Sequence, residues 1–101
     1  MRVDLWVSDD LARRPEDLPA LRWVAGWEDV DSASAAAAAE RAWRVCNHGE
    51  QALDEDERAW REEWDRHANG VRLGVGDVVV ADGRPLRCEA RGFSPTQPPG
   101  G

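Results

Sequence analysis

The sequence predicts an α+β fold: a small sheet of about four strands, mixed or antiparallel, with two helices packed on one face. Three observations carry this. Apolar residues alternate with polar ones near both ends of the chain, a period of two that suits half-buried strands. The middle holds two stretches of high helix propensity, each bracketed by capping residues. Finally, Asp82-Gly83 stands between two strand-like runs, a strong type I′ hairpin signal.

The elements follow in order. Over Arg2–Val7, Val3, Leu5 and Val7 fall on one side and Asp4 and Trp6 on the other, as in a strand with one buried face. SDDLARRPEDLP is polar and carries Pro15 and Pro19, so it reads as a loop with at most a short helical turn. In LRWVAGWEDV, residues 21–30, Trp23, Ala25 and Trp27 share a face, and Gly26 marks a bulge or a close backbone approach.

Asp31 or Ser32 can cap the helix written in SAAAAAERAWRVCN, because a short side-chain oxygen satisfies the free amides of a first turn. Ala36, Ala39, Trp43 and Cys46 mark its expected buried stripe, with Glu40 and Arg44 paired at i,i+4. Gly49 is its stop signal.

LDEDERAWREEWDRHANG is the second helix, capped by Asp54 and ended by Gly70. Glu55, Asp56 and Glu57 complement its positive end. Trp60, Trp64 and His67 line one face, and Asp54–Arg58, Glu57–Arg61 and Glu62–Arg66 have acid-first i,i+4 spacing. Val78–Ala81 and Arg84–Arg91 form the hairpin. In its second strand Leu86, Cys88 and Ala90 face one way and Arg87, Glu89 and Arg91 the other, and Pro85 suits an edge. Residues 1–93 are expected to form one domain, and 94–101 a disordered Pro/Gly tail.

Composition narrows the function. The chain carries twenty acids against thirteen Arg, a net charge of −7, with no Lys, Ile or Tyr, as a GC-rich genome would produce. Residues 1–70 hold nine Arg against seventeen acids, whereas 71–93 hold four Arg against three acids. Bulk nucleic-acid affinity, which needs a concentrated positive surface, is disfavoured; an acidic face that meets a basic protein is not. No apolar run approaches the roughly 20 residues of a membrane helix. MRVDLWVSDD has no apolar signal core, so a cytoplasmic location is expected, with Cys46 and Cys88 reduced.

Chemical motifs fail in instructive ways. LGVGDVVVADG offers Gly74 and Gly76, but Val79 stands where a dinucleotide fingerprint needs a third Gly, and a strand follows where a helix is required. The glycines instead allow a tight turn in which Asp77 bonds its own backbone. Cys46, His48, His67 and Cys88 are four potential zinc ligands, but they lack the close pairs of a structural zinc site. No metal or other cofactor is expected. The acids sit on solvated helix faces and turns, where ordinary pKa values are the expectation, so no catalytic set stands out.

Two surfaces remain. Core packing is the first reading of Trp60 and Trp64; if exposed, they form with Glu62 and Glu63 a patch for another protein or a second copy of the chain. The alternative is an Arg strip, Arg72, Arg84, Arg87 and Arg91, holding phosphate in the manner of a PUA-like nucleic-acid-binding module.

Trp43 and Asn47, then Leu73, Val75, Gly76, Asp77, Val78 and Val79, then Gly92 and Phe93 form a pattern: a helix ending in Asn, a charged spacer, a glycine turn, a hairpin and Gly-Phe. Over residues 43–93 it resembles the YodL-like small proteins of Gram-positive bacteria, their phages and mobile elements; Gly74 replaces the usual Ser. The resemblance implies a phage or mobile-element accessory protein and carries no activity with it. The expected function is therefore a small acidic, non-enzymatic protein that acts by protein–protein interaction.

Overall fold

A computed structural model of the chain describes residues 1–8 and 21–99. The loop expected around Pro15 and Pro19, and the last two residues of the expected tail, lie outside the described residues. Five strands, β1 (Arg2–Ser8), β2 (Leu21–Glu28), β3 (Val78–Ala81), β4 (Arg84–Cys88) and β5 (Phe93–Pro95), form one antiparallel sheet in the order β2-β1-β3-β4-β5. Two helices, α1 (Ala35–Asn47) and α2 (Glu55–Ala68), pack on one face, joined through a 3₁₀ turn at Glu50–Ala52. The α+β architecture is the one expected, with one more strand.

The extra strand has a local cause. Alternation continues through Glu89–Arg91, which hides a turn: the chain folds back where the Glu89 N–H donates to the Gly92 carbonyl at 2.9 Å, with Gly92 at φ +73°. Phe93–Pro95 then pairs with β4, and the Thr96 N–H donates to the Pro85 carbonyl at 3.1 Å. Ser94 and Pro95 thus belong to the sheet, and Thr96 is tied to it rather than lying in a free tail.

β1 behaves as its alternation predicts, with Val3, Leu5 and Val7 buried against the helices. In β2 the register shifts opposite Leu5/Trp6, so Val24 and Ala25 are both buried and Trp23 turns to the opposite sheet face, 42% exposed. The indole N–H of Trp23 donates to Asp4 Oδ1 at 3.0 Å. Gly26 is the expected close approach: a Cβ there would collide with the Arg2 and Asp4 side chains.

Asp82 and Gly83 both take positive φ, 54° and 74°, the type I′ geometry that joins β3 to β4. The turn before β3 is the one foreseen. Asp77 Oδ2 accepts the Gly74 N–H at 2.8 Å, and Oδ1 reaches across to the Ser8 N–H at the same distance.

The N-cap of α1 is Ser34, whose hydroxyl accepts the Ala37 N–H at 3.1 Å, rather than Asp31 or Ser32. Its buried stripe is Ala38, Ala39, Ala42, Val45 and Cys46, rotated from the expected one: Ala36 is exposed, and Trp43 is 40% exposed. Alanines at the contact let α1 sit close to the sheet, and an indole there would hold it away. α2 buries Glu57, Trp64 and Ala68, with Trp60 packed at the edge of the core.

Candidate functional site

The aromatic face of α2 is structural. Trp64 is 1% exposed and donates its indole N–H to the Val71 carbonyl at 3.2 Å. Trp60 is partly buried and stacks on Trp27, with centroids 5.1 Å apart and planes within 3°. The patch expected from Trp60, Trp64, Glu62 and Glu63 is therefore not assembled: the rings turn inward and the two acids outward. Arg66 pairs with Glu63 at 2.9 Å and Glu62 at 3.8 Å, offsetting part of their charge. His67, expected to pack beside Trp64, is exposed, 3.7 Å from Glu63.

The Arg strip does not assemble either. Arg84 and Arg87 are three residues apart on β4, opposite Ala81 and Val78, so they project from opposite faces of the sheet. Arg72 donates to the Asn47 carbonyl at the end of α1, at 2.9 Å, and Arg91 lies in the β4–β5 turn. With the four guanidinium groups so divided, the nucleic-acid reading loses its surface.

The strongest electrostatic feature centres on Arg41, in the middle of α1. Its Nε donates to Glu57 Oε2 at 2.7 Å and its Nη1 to Asp29 Oδ1 at 3.0 Å; Nη2 lies 3.2 Å from Asp54 and Nη1 3.4 Å from Asp31. The guanidinium carbon sits 4.6 Å from the centroid of Trp60, a cation–π contact. Arg44 also donates to Glu57 Oε2. The remaining Glu57 oxygen accepts the Asp54 N–H while Asp54 accepts that of Glu57, a reciprocal capping box. Asp29 is tied to the backbone of Asp31 and Ser32 and to the Ser32 hydroxyl at 2.6 Å.

Burial alone would push the Asp29 and Glu57 carboxyls up. For Asp29, the hydrogen bonds from Ser32 and Asp31 and the charge of Arg41 outweigh it and hold the group below its ordinary value. For Glu57, the Arg41, Asp54 and Arg44 hydrogen bonds do the same. Burial likewise opposes the charge on Arg41, yet Glu57 and Asp29 hold it firmly protonated. The expectation of ordinary pKa values for the acids therefore fails at Asp29 and Glu57. The cluster clasps the loop before α1 to the start of α2, and its groups already satisfy one another. The Asp54-x-x-Glu57 spacing was the one local sign of it.

A second acidic and aromatic arrangement is open. Between α1 and the β4–β5 turn lies a cleft of about 380 Å³, lined by Glu40 and Trp43 on one side and Cys88, Glu89, Gly92 and Phe93 on the other. Trp43 is there because the helix turns it off the sheet; it meets His48 edge-on at 5.6 Å. Glu89 is held by the Ser94 hydroxyl at 2.8 Å and lies 3.9 Å from Arg87 Nε, a long, exposed pair. Glu40, expected to pair with Arg44, has no ion pair among the described residues, because Arg44 turns to Glu57. Among the described residues, no basic side chain lines the cleft.

Cys88, one of the lining residues, is only 3% exposed, and burial, then the charges of Asp77 and Glu89, push its thiol above the ordinary value. Burial does the same for Cys46. Both are therefore protonated near neutral pH and poor nucleophiles. Among the described residues, no group of three or more His, Cys, Asp or Glu side chains is arranged to hold a metal ion.

No family model, curated protein or solved structure matches the chain. Among the described residues, no helix is long and apolar enough to cross a membrane.

Proposed function

We propose that this chain is a small non-enzymatic accessory protein of a phage or mobile element, acting in the cytoplasm by binding another protein. The observation that carries the reading is the open cleft at Trp43 and Phe93. It pairs half-exposed aromatic rings with two carboxylates, while Trp64 is buried and Trp60 is packed against the core. Concave, mostly apolar sites with a few placed polar groups are where binding concentrates. The net charge of −7 favours a basic partner, by steering more than by contact energy. The resemblance to YodL-like proteins over residues 43–93 supports the phage or mobile-element setting. Both buried thiols speak against cysteine chemistry.

The test is affinity capture from the bacterial host with the full chain as bait, repeated with Trp43→Ala and with Glu62→Gln/Glu63→Gln. The reading expects a protein recovered reproducibly by the parent and the α2 variant and lost with Trp43→Ala. Equal recovery by all three would move the interface elsewhere. Recovery of nucleic acid in place of protein would overturn the proposal.

A further inference from the structure

The two acidic and aromatic arrangements share a composition, and one of them shows what that composition holds. Around Arg41, a guanidinium lies over the Trp60 ring and donates to Glu57 and Asp29. The cleft offers the matching parts: the Trp43 ring, the Phe93 ring, and the carboxylates of Glu40 and Glu89. Among the described residues, none that lines it is a cation. Arg44, one turn along from Glu40, is committed to Glu57. Arg87 approaches Glu89 only at 3.9 Å, with both side chains substantially exposed.

We infer that the cleft between Trp43 and Glu89 receives an arginine side chain from a basic segment of the partner protein, an assignment that rests on the protein-binding reading above. Charge complementarity selects a cation, since among the described residues the two ionisable groups lining the cleft apart from the Cys88 thiol are acids, and that thiol is held protonated. Geometry favours guanidinium over ammonium: a planar fork can stack on an indole and donate to carboxylates at its edge, whereas an ammonium is a compact, strongly hydrated point charge. The walls are prepared for it. Ser94 fixes the Glu89 carboxylate, and the Glu89–Gly92 backbone bond holds the turn that carries Phe93.

The inference is tested on the full chain by NMR, following indole and backbone N–H signals while blocked arginine (N-acetyl-arginine amide) is added. Blocked citrulline, the neutral isostere, is the control, and a blocked lysine compares the ammonium. The expected result is a saturable shift confined to the Trp43 indole and to residues 89–93, absent with citrulline and weaker with lysine. Glu40→Gln/Glu89→Gln should weaken it by about fivefold, the scale of two exposed charge pairs, and Trp43→Leu by about threefold, that of an exposed cation–π contact. Far-UV dichroism confirms that the variants fold. Shifts spread equally along the Glu62 face of α2, or equal for arginine and citrulline, overturn the assignment. Because this readout uses the isolated chain and partner capture reads the protein-binding proposal itself, the two can fail separately.

Discussion

The Arg41 cluster and the Trp43 cleft are built from the same parts and stand in opposite states. In the first, four acids, two arginines and a tryptophan close on one another, with Asp29 1% exposed and Glu57 2%. In the second, two acids and two aromatic rings face solvent around a cavity. The difference lies in who supplies the cation. Where the chain supplies it, the arrangement is a clasp that holds α1 to α2 and to the loop before α1. Where it does not, the arrangement costs little to keep and is left available. The comparison predicts that substitutions in the first region act on folding, and in the second on binding.

The largest effect is expected at the clasp. Among the described residues, Arg41→Ala takes from the buried Asp29 its ion-pair partner and from Glu57 one of its two. Removing one partner of a buried ion pair costs about 3–5 kcal/mol, an upper figure here because Arg44 and the Ser32 hydrogen bonds remain. A small domain has only about 5–15 kcal/mol in all, so the variant should be marginally folded in urea titrations. Arg41→Lys keeps the charge but not the fork, and should fall between it and the parent. If Arg41→Ala unfolds at the parental urea midpoint, the clasp is decoration and the comparison fails.

The same groups should set the response to acid. The Asp29 and Glu57 carboxyls titrate below their ordinary values of 3.8 and 4.5 in the folded chain. Protons therefore bind the unfolded chain first. The stability these groups contribute is fully present above those ordinary values and is lost as pH falls through the lower, folded ones. Thermal midpoints should drop below about pH 4.5, and the drop should be shallower in Asp29→Asn and Glu57→Gln. A profile unchanged by either substitution would show that other carboxyls carry the acid transition.

A smaller loss is expected from Trp60→Leu, which keeps an apolar side chain but removes the ring stacked on Trp27 and facing Arg41. Aromatic pairs contribute about 0.5–1.5 kcal/mol beyond area, and the cation–π contact adds to that. A loss well under 0.5 kcal/mol, on the scale of an ordinary surface change, would mean that the ring only fills space.

How much of this was legible depends on the range of the interaction. β1 and the Asp82-Gly83 hairpin are local patterns, and both stand where alternation and turn chemistry put them. The phase of α1 was not legible, because Ala35–Ala39 is apolar at every position and so has no periodicity to read. Only Trp43 and Cys46 suggested a stripe, and the larger of the two misled, since size argued for burial where close packing required alanine. The β4–β5 turn was masked by alternation that continued through it, with Gly92 its one sign. The clasp joins residues 10 to 16 apart across separate segments, which no period reveals; only the capping box and the Asp29–Ser32 bonds within it are local. The cleft was missed for the same reason. Its walls come from α1 and from a turn some 50 residues later, and the exposure of Trp43 follows from the helix phase.

The smallest expected effect on stability is at the cleft. Glu40 and Glu89 make no buried pair, and substitutions of exposed charges usually change stability by no more than about 0.5 kcal/mol. Glu40→Gln and Glu89→Gln should therefore unfold within that margin of the parent, singly and together. Their combined effect should be additive, or slightly stabilising if the two carboxylates repel across the cleft, since like charges near one another are relieved by removing either. The outcome is informative because of its contrast with the clasp: the same conversion of Glu to Gln should cost far more at Glu57, where Arg41 and Arg44 converge, than at Glu89, where only Ser94 and a distant Arg87 attend. If Glu89→Gln instead destabilises as much as Glu57→Gln, Glu89 is a structural strut of the β4–β5 turn. The cleft would then be a by-product of how that turn is held, with its acids already in use.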